Sequence, residues 1–228
     1  GFDWIIQSII NSNGGSVMNE DRTEIAFGSE EAIGAIGMWQ DLVLSGAHTR
    51  LTDNEAVEAM FAGQVGFYLQ SSALHFGMRN AAEEAGWELR AAAMPSFGDQ
   101  PSVPVNSGSA LFILSDDPAR QRASWEFLKF VTGERGYTII TSQLGYLTLR
   151  PAIVEDPDYL QAWAEENPYI FVNLEQLTRL EPWASYPGSN WRHIETILLE
   201  AVETAVTSDG DVGAIMTDAA ARAQALMP

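Results

Sequence analysis

The sequence contains no cysteine, a single lysine and three histidines among its 228 residues. The absence of cysteine excludes disulfides, thiolate nucleophiles and cysteine-ligated metal sites, and it fits an oxidising compartment. His48, His75 and His193 show neither the spacing of a metal site nor a partner pattern for nucleophilic catalysis. No apolar run approaches the length of a membrane span. The sequence therefore predicts no metal, no other cofactor and no direct membrane insertion.

Basic residues are scarce relative to acidic ones. Twelve Lys and Arg residues stand against 31 Asp and Glu residues, which gives a net charge of −19. A surface of this sign repels nucleic-acid phosphates and anionic lipid headgroups, so neither is expected as a partner. The simplest role of the charge is to keep the protein soluble. A hydrophobic fraction of 46% with 19% charged residues is typical of a folded globular chain.

Motifs of known catalytic chemistry are absent as well. The sequence has no Gly-x-Ser-x-Gly, no phosphate-binding glycine loop and no HExxH. Adjacent acids more often mark helix starts or solvated faces than glycosidase carboxylates, because neighbouring side chains of a helix diverge. Such pairs are Glu30-Glu31, Glu83-Glu84, Asp116-Asp117 and Glu165-Glu166. The segment Asp209-Gly210-Asp211 indicates a turn and a helix cap rather than a calcium loop. We therefore expect a protein that is not an enzyme.

Apolar spacing and capping residues predict a helix-rich chain. One helix is expected over 2–10, and others begin after Ser29, Thr52 and Ser71. Further helices are predicted over 118–131, 134–144, 157–166, 168–177, 190–207 and 211–226. The buried stripe of the helix over 190–207 is predicted to be Ile194, Ile197, Leu198, Ala201, Val202 and Ala205.

Three apolar segments, 65–69, 87–94 and 110–114, predict β-strands. Helices that alternate with strands indicate an α/β fold. Residues 95–104 contain three prolines and a glycine, which favour a stiff, extended connector between two lobes. Residues 145–151 form a second candidate crossing.

The segment 181–192, with the sequence EPWASYPGSNWR, is the most informative part of the chain. It places Trp183, Tyr186 and Trp191 among two prolines and a glycine, immediately before a long amphipathic helix. Large rings on a loop must pack or bind something, because exposing them to water costs free energy. The segment has no nucleophile–base pair and no metal-ligand spacing. It therefore indicates a recognition surface rather than a reaction centre.

The order of these motifs resembles a known family. The run 87–104 is similar to the inter-lobe crossing of the extracellular solute-binding proteins of ABC importers, in the sugar-binding branch that includes maltose-binding and glycerol-3-phosphate-binding proteins. AMFAGQVGF at 59–67 and SGSALFI at 107–113 resemble the helix–strand segment before the ligand loop and the next strand. Residues 123–131 and 145–147 resemble the following helix and the return crossing. The resemblance rests on the colinear order of these segments, because no single motif is diagnostic of the family.

The resemblance implies an α/β, periplasmic-binding-protein-like fold of type II that closes on its ligand. By analogy, residues 1–98 and 147–228 form most of the second lobe, and residues 99–146 are a remnant of the first. The chain is expected to begin inside a larger protein, without the signal peptide and most of the first lobe. One wall of the cleft would then be missing, so we expect the chain alone to bind ligand weakly or not at all. The resemblance also implies a periplasmic or extracellular monomer that is membrane-associated only through its transporter.

By position, several residues match ligand contacts of the family. Trp4 resembles an aromatic that stacks on the ligand, although it could equally pack in the first helix. Ser71 and Ser72 follow a strand end, where cleft loops contact ligand, but Ser71 could also only cap a helix. Gly108 matches a glycine whose backbone approaches ligand, with a tight strand entry as the alternative. Tyr146 matches a cleft tyrosine at the return crossing.

Aromatic residues at two further places, the chain start and the segment 181–192, also match the family by position. Phe2 also matches a stacking position but fits burial in the first helix, and His75 is more typical of a satisfied surface histidine. Trp191 matches the sugar-stacking tryptophan of the maltose-binding branch, whereas Trp183 could fill the core of the lobe. Tyr186-Pro187-Gly188 stands where the glycerol-phosphate branch has a phosphate-holding arginine, and Arg192 lies one helix step beyond. This difference favours a neutral sugar or polyol over a glycerol-phosphate-type ligand.

The predicted function is capture of a sugar, oligosaccharide or polyol by hinge closure and its delivery to ABC permease subunits. A carbohydrate-active hydrolase domain is the main alternative from another class, and it would require two suitably spaced carboxylates facing the aromatic loop. A glycerol-phosphate-type ligand is the second alternative. The third alternative is that the chain is a folded fragment with a purely structural role.

Overall fold

A computed structural model describes residues 3–106 and 108–228 of the protein. Its tertiary contacts divide the chain into two compact units. The first unit comprises Gly1–Ala56, Met94–Ser107 and Arg179–Pro228, and the second comprises Val57–Ala93 and Gly108–Thr178. Each unit is therefore assembled from segments that are distant in the sequence.

Helices dominate the described residues. They are α1 (Asp3–Ser12), α2 (Glu30–Leu44), α3 (Asp53–Phe61), α4 (His75–Ala85), α5 (Pro118–Val131), α6 (Glu134–Leu144), α7 (Gln161–Glu166), α8 (Tyr169–Glu175), α9 (Trp191–Thr207) and α10 (Val212–Gln224). Short 3-10 helices occur at Ser72–Leu74, Pro151–Val154 and Leu177–Arg179. The predicted helices are confirmed, and the largest difference is that α7 begins at Gln161 rather than near residue 157. Across the described ranges, no helix has the length and apolarity that a membrane crossing requires.

Local capping explains where α2 and α3 begin. The Oγ atom of Ser29 accepts a hydrogen bond from Ala32 N at 3.3 Å. Thr52 and Glu55 form the predicted capping box: Thr52 N donates to Glu55 Oε2 at 2.8 Å, and Glu55 N donates to Thr52 Oγ1 at 3.4 Å. Such caps satisfy amides that the first helical turn leaves without an intrahelical partner.

The core of the first unit lies between α1, α2, α9 and α10. Helix α9 packs against both α2 and α10, so its apolar stripe must be continuous over several turns. The predicted stripe is confirmed, with every member buried: Ile194, Ile197, Leu198, Ala201, Val202 and Ala205. Phe27, from the loop before α2, is fully buried in the same cluster.

The second unit has a core and an aromatic cluster of its own. The core residues are Ile153, Val154, Leu160, Ala164 and Ile170. In the cluster, His75 stacks on Tyr169 with ring centroids 3.3 Å apart, and Trp163 meets Tyr169 edge-on at 6.0 Å. Burial, and secondarily the charge of Arg79, lower the pKa of His75 from 6.5 to about 4. His75 is therefore a neutral packing residue at pH 7 rather than a surface histidine.

The three predicted strands over 65–69, 87–94 and 110–114 are wrong for this structure. These segments carry no strand assignment, and several of their apolar side chains are exposed, with Phe112 at 79% and Leu114 at 89%. A strand exists only when a neighbouring chain segment accepts and donates its ladder hydrogen bonds. Within the described ranges, these three segments find no such neighbour, so apolar composition alone gave a false signal.

A short parallel pairing is present elsewhere, in the first unit. Strand β1 (Val105–Asn106) pairs with β2 (Glu181–Pro182), with Val105 opposite Glu181. This pairing joins the end of the proline-rich connector to the start of the aromatic segment 181–192. The boundaries of the two compact units differ from the lobes predicted at 1–98, 99–146 and 147–228, and that lobe assignment stays a prediction.

We predict that truncating α9 in its core face destabilises the protein strongly. Leu198 is 0% exposed whereas Leu44, at the end of α2 in the same unit, is 51% exposed. Leu198→Ala should lower the free energy of unfolding by about 2–5 kcal/mol, because it removes buried methyl groups and leaves a cavity. Leu44→Ala should stay within about 0.5 kcal/mol of the parent. Urea unfolding of both variants measures the difference, and equal costs would contradict the packing of α9.

We also predict that His75 makes stability fall in mild acid. Between its ordinary pKa of 6.5 and its folded value of about 4, the unfolded chain binds a proton that the folded protein does not. The free energy of unfolding therefore decreases as the pH falls through this range. His75→Gln should remove that component, which comparison of urea midpoints at pH 7 and pH 5 would detect. The change in midpoint between the two pH values should be smaller in His75→Gln than in the parent, and an equal change would contradict the prediction.

Candidate functional site

The aromatic segment 181–192 is held in place by hydrogen bonds that begin on α1. Ser8 Oγ accepts a hydrogen bond from Val105 N, and Ser12 Oγ accepts one from Val103 N, both at 2.9 Å. Beyond the strand pair, Asn106 O accepts a hydrogen bond from Trp183 N at 3.3 Å. Helix α1 thus fixes residues 103–105, and these fix the start of the aromatic segment.

A second set of contacts joins α1 directly to this segment. Gln7 Nε2 donates to Ala184 O, and Ala184 N donates back to Gln7 Oε1, each at 3.0 Å. Asp3 Oδ2 accepts hydrogen bonds from Gln7 Nε2 at 2.8 Å and from Trp183 Nε1 at 2.5 Å. Asp3 and Gln7 are both buried. The backbone and the indole of the segment are therefore anchored at separate points.

Trp183 and Trp191 form an aromatic corner, by which we mean these two rings. Their centroids lie 6.4 Å apart with an interplanar angle of 77°, an edge-to-face arrangement that the indole quadrupole favours. The Arg192 guanidinium lies 4.6 Å from the centroid of the Trp191 ring. Both tryptophans are half-buried. Rings of this kind offer apolar faces beside polar groups, which is the chemistry that a sugar ring with its hydroxyls requires.

Tyr186 has a different environment from the other aromatics of the segment. It is 3% exposed and lies in the core cluster of the first unit. Burial, together with the negative charges of Asp3 and Glu195, raises the pKa of its hydroxyl well above the ordinary value. A ligand contact by Tyr186 would require this core to open, so the structure favours its packing role.

Trp4 lies on α1, one residue after Asp3, and is half-buried. Its carbonyl oxygen accepts a hydrogen bond from Ser8 Oγ at 2.8 Å. Trp183, Trp191 and Arg192 are in contact at the start of α9, and Trp4 is the neighbour in sequence of Asp3, the hydrogen-bond partner of Trp183. Phe2 lies outside the described residues.

The second unit places Ser71, Ser72 and Tyr146 in one neighbourhood. Ser71 Oγ accepts a hydrogen bond from Ala73 N at 3.2 Å, so the predicted cap is confirmed. Gly145, with φ +77°, leaves only 3.3 Å between the site of a Cβ atom and Ser72 O. Tyr146 follows Gly145 directly and is partly exposed. Tyr146 thus follows a glycine whose Cβ atom, if present, would lie in tight contact with the serine turn.

Gly108 is exposed, and space around the site of its missing Cβ atom is open. The alternative interpretation, a tight entry into a strand, is wrong because 110–114 forms no strand. A ligand role for Gly108 stays a prediction.

Sequence reasoning did not single out Asp3, Gln7 or Arg22. The spacing of Asp3 and Gln7, four residues apart in a helix, could have signalled a shared face. Arg22 adopts φ +57°, which is uncommon for a residue other than glycine, and its guanidinium donates to Ser185 O. No local sequence pattern predicts the contact between Arg22 and Ser185, because 163 positions separate the two residues.

Electrostatics at the start of α1 are dominated by burial. Burial raises the pKa of Asp3, and the negative charge of Glu195 adds to the increase, while hydrogen bonds from Trp183 and Gln7 oppose it. Asp3 Oδ1 has no hydrogen-bond partner in the part of the chain that the structure describes. Across the same residues, no three His, Asp or Glu side chains come together as metal ligands would.

The chain matches a known protein family over most of its length. The sequence pattern of the family described as bacterial extracellular solute-binding protein matches residues 2–167. The chain belongs to this family. The predicted resemblance to extracellular solute-binding proteins is therefore confirmed. A search of curated protein sequences gave no match to this chain.

Solved structures support the fold of this solute-binding protein. A cyclic alpha-maltosyl-1,6-maltose binding protein from Arthrobacter globiformis is 21% identical, with a TM-score of 0.78, over 97% of this chain and 54% of that chain. UgpB from Mycobacterium tuberculosis, in complex with glycerophosphocholine, is 18% identical with a TM-score of 0.76, over 97% and 54%. Maltose-bound MalE3 of T. maritima is 17% identical with a TM-score of 0.71, over 98% and 57%.

The predicted fold class is therefore confirmed as part of a periplasmic-binding-protein-like fold. The chain spans about half the length of the solved structures that it matches, since it covers 54% to 57% of them. At these identities the likeness shows the fold, and the ligand of this solute-binding protein is a separate question.

We predict that the close approach at Gly145 makes it less tolerant of a side chain than a comparable glycine. Gly145 and Gly86 both follow helices of the second unit with φ near +78°, at +77° and +78°. Only Gly145 has neighbours near the site of a Cβ atom, the Phe76 ring and Ser72 O, both at 3.3 Å. Gly86→Ala should cost about 1 kcal/mol for the left-handed backbone alone.

Gly145→Ala should cost at least about 1 kcal/mol more, because a neighbour must also move. Urea unfolding of the two variants tests this. If both variants lose the same free energy of unfolding, Ser72 and the Phe76 ring can move away from an added methyl group without cost. Tyr146 would then not be tightly positioned against the serine turn.

Proposed function

We propose that this solute-binding protein is the ligand-binding component of an ABC importer, and that its ligand is a sugar, an oligosaccharide or a polyol. It performs no covalent chemistry. The ligand stabilises a closed arrangement of two lobes through contacts that the open arrangement lacks, and the closed protein is presented to the membrane permease. On this proposal the protein acts as a monomer in the periplasm or at the cell exterior.

The observation that carries the proposal is the aromatic corner of Trp183 and Trp191. Two indoles are held at 77° to each other at the start of α9, with Trp4 on the helix that anchors the segment. Sugar rings present C–H groups on their faces and hydroxyls at their edges, so they favour an aromatic wall with a few polar groups nearby. Two of the structural neighbours bind maltose or a maltosyl sugar, which supports the same ligand class.

A phosphate-containing ligand is the second candidate. A neighbour binds glycerophosphocholine, and Arg22 and Arg192 both lie at the aromatic segment. Against it, Arg22 already donates to a carbonyl group and Arg192 lies over an indole, so neither is free of other contacts. The neutral class is therefore preferred, and titration decides between the two.

Isothermal titration of the intact protein with maltose, maltotriose, glycerol and glycerophosphocholine tests the proposal. Saturable binding of a saccharide or polyol, without release of reducing sugar, supports it. Turnover of an oligosaccharide would support the hydrolase alternative. If only glycerophosphocholine binds tightly, the ligand class is a phosphodiester and not a neutral sugar or polyol. Absence of binding to the whole panel would contradict the proposal.

We predict that Trp191→Ala weakens saccharide binding by about tenfold or more, because a buried aromatic contact is typically worth at least 1.4 kcal/mol. The fold should persist, since Trp191 is half-buried at the first position of α9. Trp125→Ala, at a 51% exposed position on α5, is the control and should bind as the parent does. Titration calorimetry and urea unfolding together separate the outcomes, and an unfolded Trp191→Ala variant would indicate a packing role instead.

A further inference from the structure

Asp3 is an unusual residue for the interior of this protein. Its side chain is 5% exposed, and moving a carboxylate out of water is costly unless hydrogen bonds replace its hydration. Only Oδ2 has partners in the described part of the chain, and Oδ1 has none. An apolar residue would fill this position without that cost. The retained carboxylate calls for a reason beyond packing.

A helix cap is the simplest alternative explanation, because acidic residues are favourable in a first helical turn. The hydrogen bonds of Asp3 extend beyond the first turn of its own helix, which a cap alone does not explain. Asp3 Oδ2 accepts from Gln7 one turn later and from the Trp183 indole, which is 180 positions away. Gln7 in turn holds both backbone polar groups of Ala184. The carboxylate is therefore the point where the backbone anchor and the indole anchor of the aromatic segment meet.

The indole N–H is the only polar group on the Trp183 side chain. When it is fixed, rotation about the side-chain torsions is fixed as well, and with it the edge-to-face contact with Trp191 at 6.4 Å. Without Asp3, Trp183 would keep its backbone hydrogen bond to Asn106 but could choose another rotamer. The angle of the aromatic corner would then no longer be set before ligand arrives.

We infer that Asp3 is a positioning residue of the ligand site: it holds the Trp183 indole so that the Trp183–Trp191 corner is preformed. This inference rests on the proposed function for its effect on affinity, but not for the indole contact itself. Asp3 acts through Trp183 and need not touch the ligand.

The indole contact is tested by NMR of protein labelled with 15N-tryptophan. The Trp183 N–H resonance is assigned by its loss in Trp183→Phe. Asp3→Ala should shift that resonance upfield in the proton dimension, because the indole loses a carboxylate acceptor. Asp3→Asn should largely restore it, since an amide oxygen can accept the same bond. A resonance that stays in place in Asp3→Ala would overturn the inference.

Gln40→Ala provides a matched control for general destabilisation. Gln40 Nε2 donates to Ala205 O, Ser208 O and Gly210 O at 2.9, 3.0 and 2.9 Å. These contacts lie at the end of α9, whereas Trp191 begins this helix of 17 residues. Gln40→Ala should therefore reduce stability while leaving the Trp183 resonance and ligand affinity unchanged. A shift of the resonance in this control would mean that loss of stability alone moves Trp183, which contradicts a specific role of Asp3.

Affinity is then measured with maltose in the intact protein. Asp3→Ala should weaken binding about tenfold, and Asp3→Asn should remain within about threefold of the parent. Parental affinity in Asp3→Ala, with a shifted indole resonance, would overturn the role of Asp3 in binding. Failure of the unaltered protein to bind any of the panel ligands would instead contradict the proposed function, and the NMR result would still decide whether Asp3 holds Trp183.

Discussion

The first unit depends on α1, a helix that is buried over most of its circumference. Ile6, Ile9 and Ile10 lie in the core. Asp3, Gln7, Ser8 and Ser12 are buried on the two flanks of this apolar stripe, and these polar groups bond to segments far away in the sequence. Because buried polar groups are costly when unpaired, the partner segments 103–105 and 183–184 must reach α1 for the helix to be stable.

This constraint explains how three separate stretches of chain form one unit. Ser8 and Ser12 bind backbone amides 97 and 91 positions away, and Gln7 binds Ala184 at 177 positions. Each contact adds a partner from a distant segment to a side chain that already has a hydrogen bond within α1. Recognition residues are then placed by the same bonds that stabilise the fold, which is how loop side chains acquire a defined orientation.

The helices could be predicted from the sequence because their signals are local. Ser29, the box of Thr52 and Glu55, and the stripe of α9 depend only on neighbours within a few residues. Strands need a partner that the local sequence does not specify. Composition therefore could not show that the segments 65–69, 87–94 and 110–114 are unpaired in the structure. The two-residue pair β1 and β2 has the opposite character: it has almost no sequence signal, yet it positions Trp183.

The candidate site was predictable to a similar extent. Aromatic crowding identified Trp183 and Trp191, which are in mutual contact, and their ligand role stays a prediction. Tyr186 was indistinguishable from them by composition, yet it lies in the core. Asp3 and Gln7 were missed because they lie at the edge of the apolar stripe of the first helix, where the apolar residues give the stronger signal. The available signal was the helical spacing of Asp3 and Gln7, and its role could be recognised only once the structure showed their partners, Trp183 and Ala184.

The unpaired segment 110–114 has a consequence for how the protein behaves in concentrated solution. Leu111, Phe112 and Leu114 expose apolar side chains close together in the sequence. Apolar side chains exposed in series favour self-association, which the net charge of −19 opposes by mutual repulsion. Added salt screens this repulsion and therefore shifts the chain toward association.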